Sequence, residues 1–164
     1  FDWAVKEPLR KFVVDLLLGK SKKGLLLIGD PGVGKTHIMV GVFKAFLEKE
    51  ALVGGDVMFV KWTEFVQELQ KDLSQGVIPE KVLESMAGLL LVDDIRQVGG
   101  RVWMDVLKRL IELMYDREGL GIFSTNANTV EDLVRVWSLE DYWLSRLLSR
   151  MDIVHVKGRD RRVG

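Results

Sequence analysis

The 164 residues contain no cysteine, so a disulfide framework and thiolate metal ligands are both excluded, and the composition fits a reducing compartment. Histidine is nearly absent too, and His37 and His155 are too few for a histidine-built metal cluster. Long apolar runs are missing. Stretches such as 24–29 and 87–92 fall far short of the ~20 residues that span a bilayer, so no membrane association is expected. Neither sign of charge is in excess, because 24 basic side chains balance 24 acidic ones. No global field therefore draws nucleic acid, and any such binding must come from a local patch or from an assembly. No charged leader precedes a hydrophobic segment at Phe1, so neither a signal peptide nor export is expected and a cytoplasmic location is; a start other than methionine is expected of a trimmed chain.

What is present is enough apolar character, 48% of residues, to fill the core of one compact domain. Residues 1–23 read as an N-terminal helix and lead-in, 24–157 as a core and 158–164 as a basic tail. In the core, Leu25 to Ile28 is a short apolar run ended by the glycine-rich "GDPGVGK", after which Ile38, Met39, Val42, Phe43, Phe46 and Leu47 recur at helical spacing. Beyond the Gly54-Gly55 break, "VMFVK" (57–61) predicts a second strand, and Thr63 is placed to cap a helix that carries Phe65, Val66, Leu69 and Leu73 up to a turn from Gly76 to Pro79. A short helix is expected over 80–87. "LLLV" (89–92) is so uniformly apolar that both its faces should be covered, as in a parallel sheet.

Two aspartates end that strand, and Gly99-Gly100 makes a loop. Trp103, Leu107, Leu110, Ile111 and Met114 then stripe a helix that runs to about Arg117. "LGIFSTN" (120–126) predicts a strand, Ser138 and Asp141 have the spacing of a capping box for the helix that bears "LSRLLSRM" (144–151), and "DIVHVK" (152–157) closes the series. Five strands alternating with helices give an α/β fold with a mostly parallel sheet and functional loops at the carboxyl ends of its strands. No internal repeat or low-complexity segment interrupts it. The tail with Lys157, Arg159, Arg161 and Arg162 is too short for a nucleic-acid arm and reads equally as a solvated terminus.

Gly29-Asp30-Pro31-Gly32-Val33-Gly34-Lys35-Thr36 fits G-x-x-x-x-G-K-[ST] at every fixed position, between an expected strand and an expected helix. Such glycines let the backbone turn its N–H groups toward phosphate oxygens, and the helix that follows adds its positive end. Lys35 is expected to reach the β- and γ-phosphates and the Thr36 hydroxyl to ligate Mg²⁺. Asp93 and Asp94 follow an apolar strand, as expected if Asp93 holds the magnesium through its water shell and Asp94 polarises the attacking water. Asn126, at the end of the next strand, either orients that water or simply forms a turn. His37, one residue after Thr36, either senses nucleotide or packs on the surface. The tryptophans Trp3, Trp62, Trp103, Trp137 and Trp143 stand singly and fit burial better than base stacking.

Arg146 and Arg150 lie one helical turn apart on one flank with Tyr142, opposite an arc of Trp143, Leu144, Leu147, Leu148 and Met151. They make either a solvated flank or the cation that a phosphoryl-transfer site still needs. The "RQVGGR" loop (96–101) faces DNA, a neighbouring subunit or only solvent. The guanine-reading N-K-x-D pattern of GTPases is absent, as is the arginine-rich lid insertion of a small-molecule kinase.

The motifs "GLLLIGDPGVGKTH", "LLLVDDI", a helix from Trp103 to Tyr115, "FSTN", "SRLLSRM" and "VKGRDRR" follow in the order of an AAA+ ATPase. From about residue 24 to 162 the chain resembles the ATPase core of DnaC-type bacterial helicase loaders and their IstB-like transposition relatives, with His37 and "GRDRR" pointing to that branch. The resemblance implies a three-layer P-loop fold with a five-stranded parallel sheet in the order 5-1-4-3-2 and no C-terminal lid. It implies ATP/ADP and Mg²⁺ as cofactors, a Walker B pair at Asp93 and Asp94, sensor 1 at Asn126 and an arginine finger within Arg146/Arg150. It further implies self-association through the Arg146/Arg150 edge, single-stranded DNA bound weakly or only by the oligomer, and a replicative helicase or a transposase engaged through a region outside this chain.

Overall fold

A computed structural model of the chain describes residues 3–53, 57–73 and 88–158. The Gly54-Gly55 break, the Gly76 to Pro79 turn, the short helix over 80–87 and the tail arginines Arg159, Arg161 and Arg162 lie outside the described residues. Eleven elements are described: α1 (Trp3–Leu17), β1 (Gly24–Ile28), α2 (Lys35–Val53), β2 (Val57–Lys61), α3 (Trp62–Leu73), β3 (Leu89–Asp93), α4 (Val102–Arg117), β4 (Leu120–Thr125), α5 (Val130–Trp137), α6 (Asp141–Arg150) and β5 (Met151–His155). The strands form one sheet in the order β2-β3-β4-β1-β5, every pairing parallel, which is the order 5-1-4-3-2 read from the other edge. No helix among the described residues is long and apolar enough to cross a membrane.

Side chains on a strand point alternately to its two faces, and the central strands are apolar at both phases. Leu26, Ile28, Leu90, Val92 and Phe123 pack against residues of α3, α4, α5 and α6. Leu25, Leu27, Leu89, Leu91 and Ile122 pack against α1 and α2. The result is three layers with two cores, one on each side of the sheet. Replacing a central leucine such as Leu91, which has no exposed surface, with alanine would cost about 2–5 kcal/mol. Because all five strands run the same way, their carboxyl ends gather the loops that follow β1, β3 and β4 on one rim of the sheet.

Two expected caps are corrected. Ser138 does not start the last helix: it sits at φ 49°, ψ 37° as the C-cap of α5, whereas an N-cap needs extended backbone, which Glu140 has at φ −67°, ψ 152°. Thr63 lies inside α3, which begins directly after β2 at Trp62 because burial of that indole fixes the first turn. The side-chain cap that does form is at Thr129, whose hydroxyl accepts from the Asp132 amide at 3.0 Å. β5 begins at Met151, one residue earlier than expected, because that buried side chain enters the sheet opposite Gly24.

Candidate functional site

The loop between β1 and α2 is built on glycines that adopt positive φ: Gly29 at 151°, Gly32 at 79° and Gly34 at 109°. At Gly29 a Cβ would also lie 2.3 Å from the Val156 carbonyl oxygen, so the neighbouring chain leaves no room for a side chain. Strands on both sides fix the loop. The Gly29 amide donates to Ala127 O at 2.8 Å, the Val156 amide donates to Ile28 O at 2.8 Å, and Asn128 Nδ2 donates to the Asp30 carboxylate at 2.7 Å. Lys35 is buried, and its ammonium donates to the loop carbonyls of Gly29 and Asp30. α2 starts at Lys35, so the positive end of its helix dipole faces this loop, where it favours an anion.

Across from this loop, β3 ends in Asp93, a carboxylate only 5% exposed. Burying a charge is expensive unless it is hydrogen-bonded. Here Thr36 Oγ1 donates to Asp93 Oδ2 at 2.8 Å and Ser124 Oγ donates to Oδ1 at 2.6 Å. The Asp94 amide donates back to Ser124 Oγ at 2.8 Å, so one serine of β4 supports both aspartates. Asp94 itself stands at φ 58°, an uncommon conformation for a residue with a side chain, which turns its carboxylate toward Asn126 Nδ2 at 3.4 Å and Arg96 Nε at 3.7 Å.

These groups border a cavity of about 810 Å³, within the ordinary range for small-molecule sites. Pro31, Gly32, Gly34, Lys35, Thr36 and His37 form one wall, and Asp93, Asp94, Ser124 and Asn126 another. Gly29, Asp30 and Val33, expected in the same loop, do not line the cavity: Val33 packs into the core, and Gly29 and Asp30 brace the loop from behind. Val40, Lys61, Trp62, Thr63, Glu64 and Arg96 complete the lining, and the sequence places none of them here. From the sequence alone Arg96 faces solvent, DNA or a neighbour.

Arg146 and Arg150 are not brought to this cavity. Met151, next to Arg150, pairs with Gly24 at the start of β1, whereas the phosphate loop follows the far end of that strand. Five residues at ~3.3 Å each separate the two rims by ~15 Å. The Arg146 guanidinium lies between Tyr115 and Tyr142, 4.2 and 4.5 Å from the ring centres. Arg150 Nη2 donates to Gly119 O at 3.1 Å, while its buried Nε has no hydrogen-bond partner among the described residues. Met151 and Leu147 are fully buried, and Trp143, Leu144 and Leu148 are half-buried.

Ser124 and Thr125 escaped sequence reasoning. Thr125 Oγ1 donates to Ile95 O at 2.8 Å, just as Ser124 serves Asp93 and Asp94. The signal was two hydroxyls at the end of an interior strand, where buried polar groups must find partners. Asn128 carried no such signal, since its partner lies in the phosphate loop.

The family model of the IstB-like ATP binding proteins matches residues 13–163. Among solved structures, that of the DnaC helicase loader superposes with a TM-score of 0.71 over 92% of this chain and 86% of its own, at 22% identity. The AMPPCP-bound DnaA from Aquifex aeolicus superposes with a TM-score of 0.69 over 92% of this chain and 45% of its own, at 20% identity. The fold is thus shared with AAA+ P-loop proteins. The chromosomal replication initiator protein DnaA of Acinetobacter baumannii is 38% identical over 98 residues, which is 58% of this chain and 20% of that protein. The chain spans about a fifth of the length of the curated relatives it matches, 20% in each of the first two proteins. With the match to the family model running through the phosphate loop, both aspartates and β5, the chain belongs to the family of IstB-like ATP binding proteins.

Proposed function

We propose that this chain, as a single AAA+ domain, binds and hydrolyses Mg²⁺-ATP and couples that cycle to its own assembly on single-stranded DNA and to the loading of a replicative helicase. The observation that carries the reading is the contact from Thr36 to the buried Asp93 at the mouth of a glycine-built phosphate loop, with Asp94 one residue further on. A hydroxyl and a carboxylate held together are hard oxygen donors, the set that suits Mg²⁺ alongside water and phosphate oxygens. When bound there, the ion would neutralise charge on the phosphates.

The chain's own groups do the rest. Lys35 and the first amides of α2 hold the phosphates, with Pro31, Gly32, Gly34 and His37 around them. Asp94 accepts a hydrogen bond from the attacking water and Asn126 orients it. Water oxygen bonds to the γ-phosphorus, the bond to the β-phosphate oxygen breaks, and ADP and inorganic phosphate leave. Arg146 and Arg150, at the other rim of the sheet from their own cavity, serve only a neighbour's, with Arg150 as the finger and Arg146 as its support. A finger of this kind is worth ~10³–10⁵ in rate.

The helicase partner, or a transposase in its place, would be met through a region outside this chain. A second reading, a nucleotide-switched binding module with negligible turnover, is favoured by one observation: Arg96 approaches Asp94 at 3.7 Å and competes for the carboxylate that would take the water. Steady-state phosphate release by the wild type and by Asp94→Ala, with and without single-stranded DNA, separates the two. Turnover lost in the variant supports the enzyme; no turnover by the wild type under any condition leaves the switch. Capture of replicative helicase against transposase by the full-length protein decides between partners.

A further inference from the structure

Three consecutive residues, Asp94, Ile95 and Arg96, are fixed by their backbones. The Asp94 amide donates to Ser124 Oγ and the Ile95 amide to Ser124 O, both at 2.8 Å. Ile95 O accepts from Thr125 Oγ1 and Arg96 O accepts from Trp62 Nε1, again at 2.8 Å. Trp62 has no exposed surface, so its indole N–H is an immovable anchor for the Arg96 carbonyl. Arg96 is therefore a surface arginine on a fixed base: its side chain is 60% exposed, yet it borders the cavity and approaches Asp94 at 3.7 Å. Lys61 lines the same cavity from the end of β2, opposite Asp93 in register.

An exposed ion pair between residues two apart contributes little to folding, so stability does not account for this arrangement. Its position does. We propose that Arg96 discriminates nucleotide triphosphate from diphosphate in its own subunit: its guanidinium holds Asp94 while no terminal phosphate is present and transfers to the γ-phosphate when ATP enters. This rests on the nucleotide-site reading above. A guanidinium prefers phosphate to a single long contact with a carboxylate because it can form two short charge-assisted hydrogen bonds there. Its departure leaves Asp94 with Asn126 and open to accept a hydrogen bond from water. One side chain thus selects the triphosphate and releases the group that activates water. A diphosphate carries no γ-phosphate for Arg96 to take up, so Asp94 stays engaged.

The test is equilibrium binding of Mg²⁺-ADP and of a non-hydrolysable Mg²⁺-ATP analogue to the wild type, Arg96→Gln and Arg96→Lys, each checked for an unchanged melting curve. The expected result is a fall of fivefold or more in triphosphate-over-diphosphate selectivity in Arg96→Gln, and a smaller fall in Arg96→Lys, which keeps the charge and loses the paired hydrogen bonds. A smaller fall in Arg96→Gln, or an Arg96→Lys that behaves like Arg96→Gln, overturns the proposal. Failure of the wild type to bind either nucleotide would instead sink the nucleotide-site reading itself.

Discussion

Thr36 Oγ1 donates to Asp93 Oδ2 at 2.8 Å, and this one contact joins the first turn of α2 to the end of β3. Two residues 57 apart in sequence meet because β3 and β1 are both parallel neighbours of β4, so their carboxyl ends reach the same rim. The contact brings together the two side chains whose oxygens suit a hard cation.

Ser124 supports this pair from β4. Ser124→Ala removes the donor to Asp93 Oδ1 and the acceptor for the Asp94 amide, and it leaves a buried carboxylate with one partner fewer. The expected cost is about 1–3 kcal/mol, which in a domain of this size lowers the melting temperature by several degrees. Nucleotide turnover should fall further than stability does, because Asp94 loses its anchor. Thermal denaturation measured beside phosphate release checks both.

Asn128 holds the phosphate loop by its contact with Asp30, and neither side chain faces the cavity. Asn128→Ala is expected to weaken ATP and ADP alike, by a few-fold, with little change in melting temperature because both groups are exposed. Titration of each nucleotide reads it. An unchanged affinity for both would show that the loop keeps its shape without this brace.

The arginines of α6 predict a behaviour of mixtures. Arg150→Ala subunits retain Asp94, and Asp94→Ala subunits retain Arg150. If a finger is supplied by a neighbour, mixing two inactive variants regains part of the wild-type turnover. Activity equal to the sum of the separate variants would show that Arg150, hydrogen-bonded to Gly119 O, serves the fold and not a neighbouring site.

Much of this was legible in the sequence, and for identifiable reasons. The phosphate loop announces itself because backbone conformation restricts several of its positions to glycine, and β3 because a strand covered on both faces must be apolar throughout. Strand order came from resemblance, since periodicity along a chain carries no information on which strands pair. Ser138 was misplaced because serine serves both ends of helices, and only φ distinguishes them. Arg96 was unreadable for a different reason. Its place at the cavity depends on Trp62, 34 residues earlier, whose indole looked like ordinary core and is also a hydrogen-bond donor.

The central claim, that this cavity is a nucleotide site, is tested most directly by calorimetric titration of Mg²⁺-ATP into the wild type and Lys35→Ala. Lys35 is the buried cation of the loop, so its loss removes a charge from the phosphates while the described contacts of Thr36, Asp93 and Ser124 remain. Saturable binding by the wild type that disappears in a folded Lys35→Ala is the predicted result, and affinity retained by the variant would contradict it.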